Sequence, residues 1–234
     1  MSILDRAKPA RAEGPAHILV HGEAGAGKTY AVRTLPAPHD QILVLACEPG
    51  ARSLSDTEIP VLPIRSVADL RAVLVELRQT DRFSWVVIDS LSELATIVLR
   101  EEQEANKDGR LAYGVMAGRV RTIVAGFLAL NRNTLWIARQ DCDIDAQSGR
   151  VTRRYPSMPG KLLALRQPIA HDFDFVLCLT AKKRGNDVAR VFQTSKLADP
   201  ACDAKVRDPR GLLDPFEPAD FGKMLAKVAS EESE

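Results

Sequence analysis

Cysteine is scarce in this 234-residue chain: Cys47, Cys142, Cys178 and Cys202 are the whole complement, and no two form a CxxC pair. That excludes a disulfide-dense secreted scaffold and any zinc motif of short linear spacing, and makes a reduced, intracellular (cytoplasmic) protein the simplest reading. An excess of one charge is missing too. With 32 Lys and Arg against 31 Asp and Glu the net charge is +1, so global electrostatics nominate no partner and any basic surface must be local. The four histidines (His17, His21, His39, His171) show no metal spacing, and His21 reads as the end of a strand. Asp141, Asp143 and Asp145 alternate as in a calcium loop, but Ala146 and Thr152 stand where that loop requires Gly and Glu. Ser90 lacks the GxSxG frame of a nucleophile elbow. No apolar run approaches the roughly 20 residues of a membrane span. Residues 1–14 mix charge with Pro9 and have no apolar signal region, so we read them as a flexible segment and expect no membrane partner.

What is present is an ordinary globular balance, 45% apolar and 27% charged, enough for one large domain over residues 15–229 before an acidic, disordered tail at 230–234. Strand and helix patterns alternate, which predicts an α/β fold with a mostly parallel central sheet flanked by helices. The expected strands are His17–His21, Gln41–Glu48, Val61–Ile64, Phe83–Asp89 and Thr134–Arg139, then a pair, Phe173–Thr180 and Val188–Thr194, joined by a turn at Gly185–Asp187. Helices are expected over Lys28–Leu35, Val67–Gln79 behind a Ser66 cap, Leu91–Asn106, Tyr113–Leu130 and Ala219–Ala229. Cys142–Pro168 reads as a long stretch with turn residues and little periodicity, and Leu197–Pro218 is rich in Pro, Asp and Gly.

The chemistry is announced by Gly22-Glu23-Ala24-Gly25-Ala26-Gly27-Lys28-Thr29, a complete GxxxxGK[ST] phosphate loop that follows an apolar strand and opens a helix. Glycines allow the backbone to fold into a nest of N–H groups around phosphate oxygens, Lys28 reaches the β and γ phosphates, and Thr29 offers a hydroxyl to Mg²⁺. Tyr30 follows directly and joins the nucleotide-binding set, and Glu23 is expected to point outward. A chance GKT in a tight strand–helix turn is the bland alternative, and the match of motif and context argues against it. The second motif is Trp85-Val86-Val87-Ile88-Asp89-Ser90, four apolar residues ending in an aspartate that can hold Mg²⁺. Ser90 stands where a glutamate would be expected to activate water. Glu48, at the end of the strand Ile42–Ala46, is the substitute candidate, since the C-terminal ends of parallel strands converge on the ligand crevice. A solvated glutamate in a turn is the competing reading.

Together these residues resemble the RecA-like P-loop ATPase core, and more closely the small single-domain RecA-like ATPases of bacteriophages linked to single-strand DNA recombination and annealing. The likeness runs from Ile18 to Phe221. It implies an ATPase that uses ATP and Mg²⁺, with Lys28, Glu48, Asp89 and Gln140 as the catalytic set. Gln140, after the strand Thr134–Arg139, would sense the γ-phosphate and lead into a DNA-binding loop. Single-stranded DNA is the implied partner, with a homo-oligomer and a single-strand-binding or other recombination protein as further partners. The chain departs from the large recombinases in showing no oligomerisation arm before the phosphate loop.

Between Arg150 and Arg166 stand five cations (Arg150, Arg153, Arg154, Lys161, Arg166) around Tyr155, with no acid among them. Cations tracking a phosphate backbone beside an aromatic platform suit single-strand binding, while a solvated loop would carry the same residues. Lys182, Lys183 and Arg184 are candidates for a cation acting on a neighbouring subunit's γ-phosphate, with a charged hairpin turn as the plainer reading. Two other functions fit parts of the sequence: an ATP-dependent regulatory or assembly switch acting on a protein, and a small-molecule kinase whose lid is the Arg150–Arg166 segment.

Overall fold

The computed structural model describes residues 14–106, 108–159, 169–184 and 187–229. The chain runs β1 (His17–Gly22), α1 (Lys28–Ala31), β2 (Ile42–Ala46), β3 (Val61–Pro63), α2 (Val67–Leu77), β4 (Trp85–Asp89), α3 (Leu91–Ala105) and α4 (Gly109–Leu128). It continues through β5 (Asn133–Ile144), β6 (Val151–Pro156), β7 (Phe175–Arg184), β8 (Asp187–Gln193), β9 (Lys205–Val206), β10 (Phe216–Pro218) and α5 (Phe221–Ala229). Along the main sheet the order is β10-β8-β7-β1-β5-β4-β2-β3. The six strands from β7 to β3 are parallel, and β8 and β10 extend the sheet antiparallel at one edge. This is the expected α/β class with a mostly parallel sheet.

Continuous apolar runs make these central strands because both faces are covered. Leu19, Leu45, Val86, Ile88 and Trp136 face a core shared with α2, α3 and α4. Their neighbours Ile18, Val20, Val44, Val87, Leu135 and Ile137 face the opposite core, under Ala31, Val32 and the α5 residues Phe221 and Met224. Period-two alternation thus serves two cores. At the start of α2 Ser66 and Asp69 form a reciprocal capping box, as the Ser66 cap predicts.

Four expectations need correction. The helix after the phosphate loop lasts only to Ala31 and tightens into a 3₁₀ turn over Val32–Thr34, because Pro36 cannot extend it. Helix α4 starts at Gly109, not Tyr113, with the Asp108 carboxylate accepting from the Arg110 N–H at 2.9 Å. That helix is long and apolar enough, by length and composition alone, to cross a membrane, contrary to the reading of the sequence. Small residues and spaced arginines hide the run. Its Ala112, Met116, Val120, Ile123, Val124 and Phe127 pack into the core, and Arg119 pairs with Glu101 and Glu102 of α3. Last, the start of the segment expected to be irregular is a β-hairpin: β5 runs on past the sheet and pairs antiparallel with β6, Gln140 opposite Pro156 and Cys142 opposite Arg154. Asp145 organises its turn by accepting from the N–H groups of Gln147 and Ser148, and Gly149 supplies the left-handed residue at φ 66°.

Candidate active site

Strand β1 delivers the chain to the phosphate loop beside its neighbour β7. A Cβ on Gly22 would lie 2.5 Å from the Leu179 carbonyl oxygen, so only glycine permits this approach. Gly25 and Gly27 take φ values of 75° and 99°, which bend the loop back over the strand end. Arg190 of β8 packs on Gly27 and donates from Nε to the Ala26 carbonyl at 3.0 Å, bracing the loop from behind. Glu23 is exposed, as expected. Lys28 folds across the loop: its Nζ donates to the carbonyls of Gly22 at 2.7 Å and Glu23 at 2.9 Å.

The parallel register places the other nominated groups opposite. Asp89 ends β4 level with Ala46 of β2 and Ile137 of β5, while Gly22 is level with Arg139. Thr29 Oγ1 donates to Asp89 Oδ2 at 2.7 Å, so the hydroxyl and the carboxylate meet where hard oxygen ligands are needed. Mg²⁺ holds one or two such protein oxygens and completes its shell with phosphates and water, so this pair fits it. Ser90 caps α3 by accepting from the Glu93 N–H at 3.2 Å, which accounts for a serine there. Lys28, Thr29, Tyr30, Glu48, Asp89, Arg139 and Gln140 all line one cavity of about 570 Å³ with Ala24, Gly25 and Gly27.

Burial sets the electrostatics. Desolvation lifts the Asp89 carboxyl above its ordinary range, with the Thr29 hydroxyl opposing and Glu48 reinforcing. Desolvation also lowers the Lys28 ammonium, and the nearby Asp89 and Glu48 charges work against that. Cys47, beneath the cavity, is pushed up to about 12 by burial and neighbouring carboxylates, so it stays a neutral thiol.

Arg139 is the main residue that the sequence reading missed. Its guanidinium bridges Glu48 and Glu93, the latter at 3.0 Å. Its own backbone is gripped too: the Arg139 N–H donates to Ser92 Oγ at 2.9 Å, and Ser92 Oγ donates to the Ser157 carbonyl at 2.6 Å. The only sequence signal was its place one residue before Gln140. Glu93, in the first turn of α3, and Arg190 gave no signal, because their roles depend on which strand ends are neighbours.

Among the described residues, the nominated cations are not gathered into one patch. Arg153 donates to Asp203 from Nε at 3.0 Å and Nη2 at 2.5 Å, and Arg154 donates to Asp199 at 2.8 Å. Burial works against the Asp203 charge, yet bonds from Arg153 and Lys196 hold its carboxyl below the usual range. Tyr155 is 2% exposed with its hydroxyl on Asp143 at 2.9 Å, so as placed it offers no stacking face to a base. Arg150 is exposed near the hairpin tip. Lys161 and Arg166 lie outside the described residues. Lys182 lines a second cavity, about 560 Å³, on the other side of the phosphate loop, and its Nζ sits 2.9 Å from the centre of the Phe216 ring. Lys183 and Arg184 fall within β7, and their side chains lie outside the described residues.

A family described as an AAA domain matches residues 14–207. Among solved structures, the KaiC-like protein PH0186 of the archaeon Pyrococcus horikoshii OT3 is similar at 12% identity and a TM-score of 0.43, with 76% of each chain covered. No curated protein matches the chain.

Proposed function

We propose that this chain, which belongs to the AAA domain family, is a cytoplasmic RecA-like Mg²⁺-dependent ATPase that couples hydrolysis to binding single-stranded DNA and promotes recombination or annealing. The observation that carries the ATPase reading is the convergence of Lys28, Thr29, Asp89, Glu48 and Gln140 on one cavity. Lys28 and the loop amides hold the triphosphate, exchanging the lysine's bonds to Gly22 and Glu23 for phosphate oxygens. Thr29 and Asp89 would hold Mg²⁺, which would supply neutralisation of phosphate charge. Glu48 orients the attacking water, and Arg139 positions the Glu48 carboxylate.

The DNA reading rests on a physical connection. Gln140 lines the cavity and is also the first paired residue of the β5–β6 hairpin, so a shift at the γ-phosphate is transmitted to the exposed tip that carries Arg150. Nucleotide state and strand affinity are then linked reciprocally. Steady-state ATP hydrolysis with Mg²⁺, with and without single-stranded DNA at two salt concentrations, tests it, and a rise with DNA that weakens with salt is expected. A second reading, a switch acting on a protein, draws support from the Arg153–Asp203 and Arg154–Asp199 pairs, which remove two cations from nucleic-acid contact. Hydrolysis indifferent to DNA, with ATP-dependent capture of a purified recombination partner, would favour that reading.

A further inference from the structure

His21, Cys178 and Cys202 come together beneath the phosphate loop although 157 and 181 positions separate the cysteines from the histidine. A ring nitrogen of His21 and the two sulfurs lie within 4.8 Å of one another, and all three residues are buried. We propose that they form a binding site for a soft divalent cation of the zinc class.

The histidine is already set for that role. Its Nε2 is 2.7 Å from the Asp203 carbonyl, which can only accept, so Nε2 carries the proton and Nδ1 carries the lone pair. Nδ1 makes no hydrogen bond of ordinary distance and angle among the described residues, although His21 is completely buried and the Gln140 side chain comes within hydrogen-bonding reach of its ring. A ligating histidine ordinarily donates its other ring N–H to a carbonyl or carboxylate in this way. The two sulfurs belong to neighbouring segments, Cys178 on β7 level with His21 and Cys202 just before Asp203. Tetrahedral ligation with Zn–S near 2.3 Å and Zn–N near 2.0–2.1 Å needs ligand atoms roughly 3.5–3.8 Å apart, so the cluster has to close by at most about 1 Å. Gln140 is placed for the fourth position: its Oε1 is 3.4 Å from Cys178 Sγ, and its side chain lies beside His21.

The coordination step releases two protons. One cation replaces the S–H hydrogens of Cys178 and Cys202, forming two thiolate bonds and one bond to neutral His21, with no change of oxidation state. The bond to Cys178 and burial push the Cys202 thiol far up. Bound, the ion ties the end of β1, β7 and the Ala201–Asp203 segment together. That segment also anchors the hairpin: the Arg154 N–H donates to the Ala201 carbonyl, the Asp203 N–H donates to the Arg154 carbonyl, and Arg153 pairs with Asp203. The site therefore fixes the hairpin base to the floor of the phosphate loop.

Cobalt(II) titration of the reduced, metal-free full chain is the test. Wild type is expected to develop a thiolate-to-cobalt charge-transfer band that saturates at one equivalent and is displaced by Zn²⁺. Cys202→Ser should weaken the affinity by more than the roughly 10–100-fold that loss of an outer contact costs, whereas Cys142→Ser, on the exposed hairpin, should leave it unchanged. Should the buried variant fail to fold, peptide mapping of wild-type alkylation through a urea transition replaces it, and equimolar Zn²⁺ should protect Cys178 and Cys202 but not Cys142. Absence of the band in wild type, undiminished cobalt affinity in Cys202→Ser, Zn²⁺-independent alkylation, or a Cys178–Cys202 disulfide in the protein as isolated under reducing conditions would each overturn the assignment.

Discussion

Two cavities of nearly equal volume flank the phosphate loop, and they differ in how their charges are spent. On the β4 side, Lys28, Asp89, Glu48 and Arg139 converge on the space, with Asp89 and Lys28 both shifted toward neutrality by burial. On the β8 side, Arg154 is paired with Asp199 and Lys182 sits on the Phe216 ring, so the cations lining that cavity are occupied with the fold. Groups whose affinity for protons burial has shifted and that are aimed into a cleft mark the place where chemistry is done, and mutually satisfied pairs mark structure. The comparison predicts that substitutions on the first side change turnover and those on the second change stability.

The largest effect belongs to Glu48→Gln, which keeps shape and removes the base. Hydrolysis should fall by about 10²-fold or more while nucleotide affinity, read with a fluorescent ATP analogue, is retained. Glu93 sits across Arg139 from Glu48, so a larger loss in Glu93→Gln would transfer the role to it. Next is Arg139→Ala. If Arg139 only positions Glu48, kcat should drop by about tenfold, or ~1.4 kcal/mol, with KM unchanged. A matching rise in KM would instead make Arg139 a phosphate contact.

The same contrast explains what could be read from the sequence. The phosphate loop and the Asp89 strand were legible because their chemistry is local: a glycine-rich turn and an apolar run ending in a carboxylate carry their function in consecutive residues. Glu48 was legible as a residue at a strand end, since parallel strands bring their C-terminal ends together, while Gln140 came from the resemblance to the RecA-like core and lies inside β5. Arg139, Glu93 and Arg190 were not, because strand order decides which of many polar strand-end residues meet. The hairpin was missed for a different reason. Asp141, Asp143 and Asp145 alternate with Cys142 and Ile144 as a strand should, but the segment is exposed and has no apolar face to betray its period. Its cations looked free because their partners, Asp199 and Asp203, lie some 45–50 residues further on.

On the second side Arg153→Ala breaks a pair whose side chains are only 25% and 16% exposed. It should cost about 1–2 kcal/mol of stability, seen as a lower urea midpoint, with ATP hydrolysis per folded molecule unchanged. A loss of turnover with no loss of stability would end the division between the two sides.

The smallest effect is expected where the hairpin leaves both cavities behind. Arg150 is exposed beside the Gly149 turn, and its N–H, not its guanidinium, is engaged with Ser148 Oγ at 3.4 Å. If single-stranded DNA runs across the tip, Arg150→Ala takes one cation away from the phosphate backbone. The slope of log K against log salt then becomes shallower by about 0.7, and DNA-free hydrolysis stays as it was. Arg153→Ala would be a poor probe of the same interaction, since any change in DNA binding would be confounded with the loosened hairpin base. An unchanged slope in Arg150→Ala, with DNA stimulation intact, would move the strand off the tip and onto a surface that the paired arginines do not occupy.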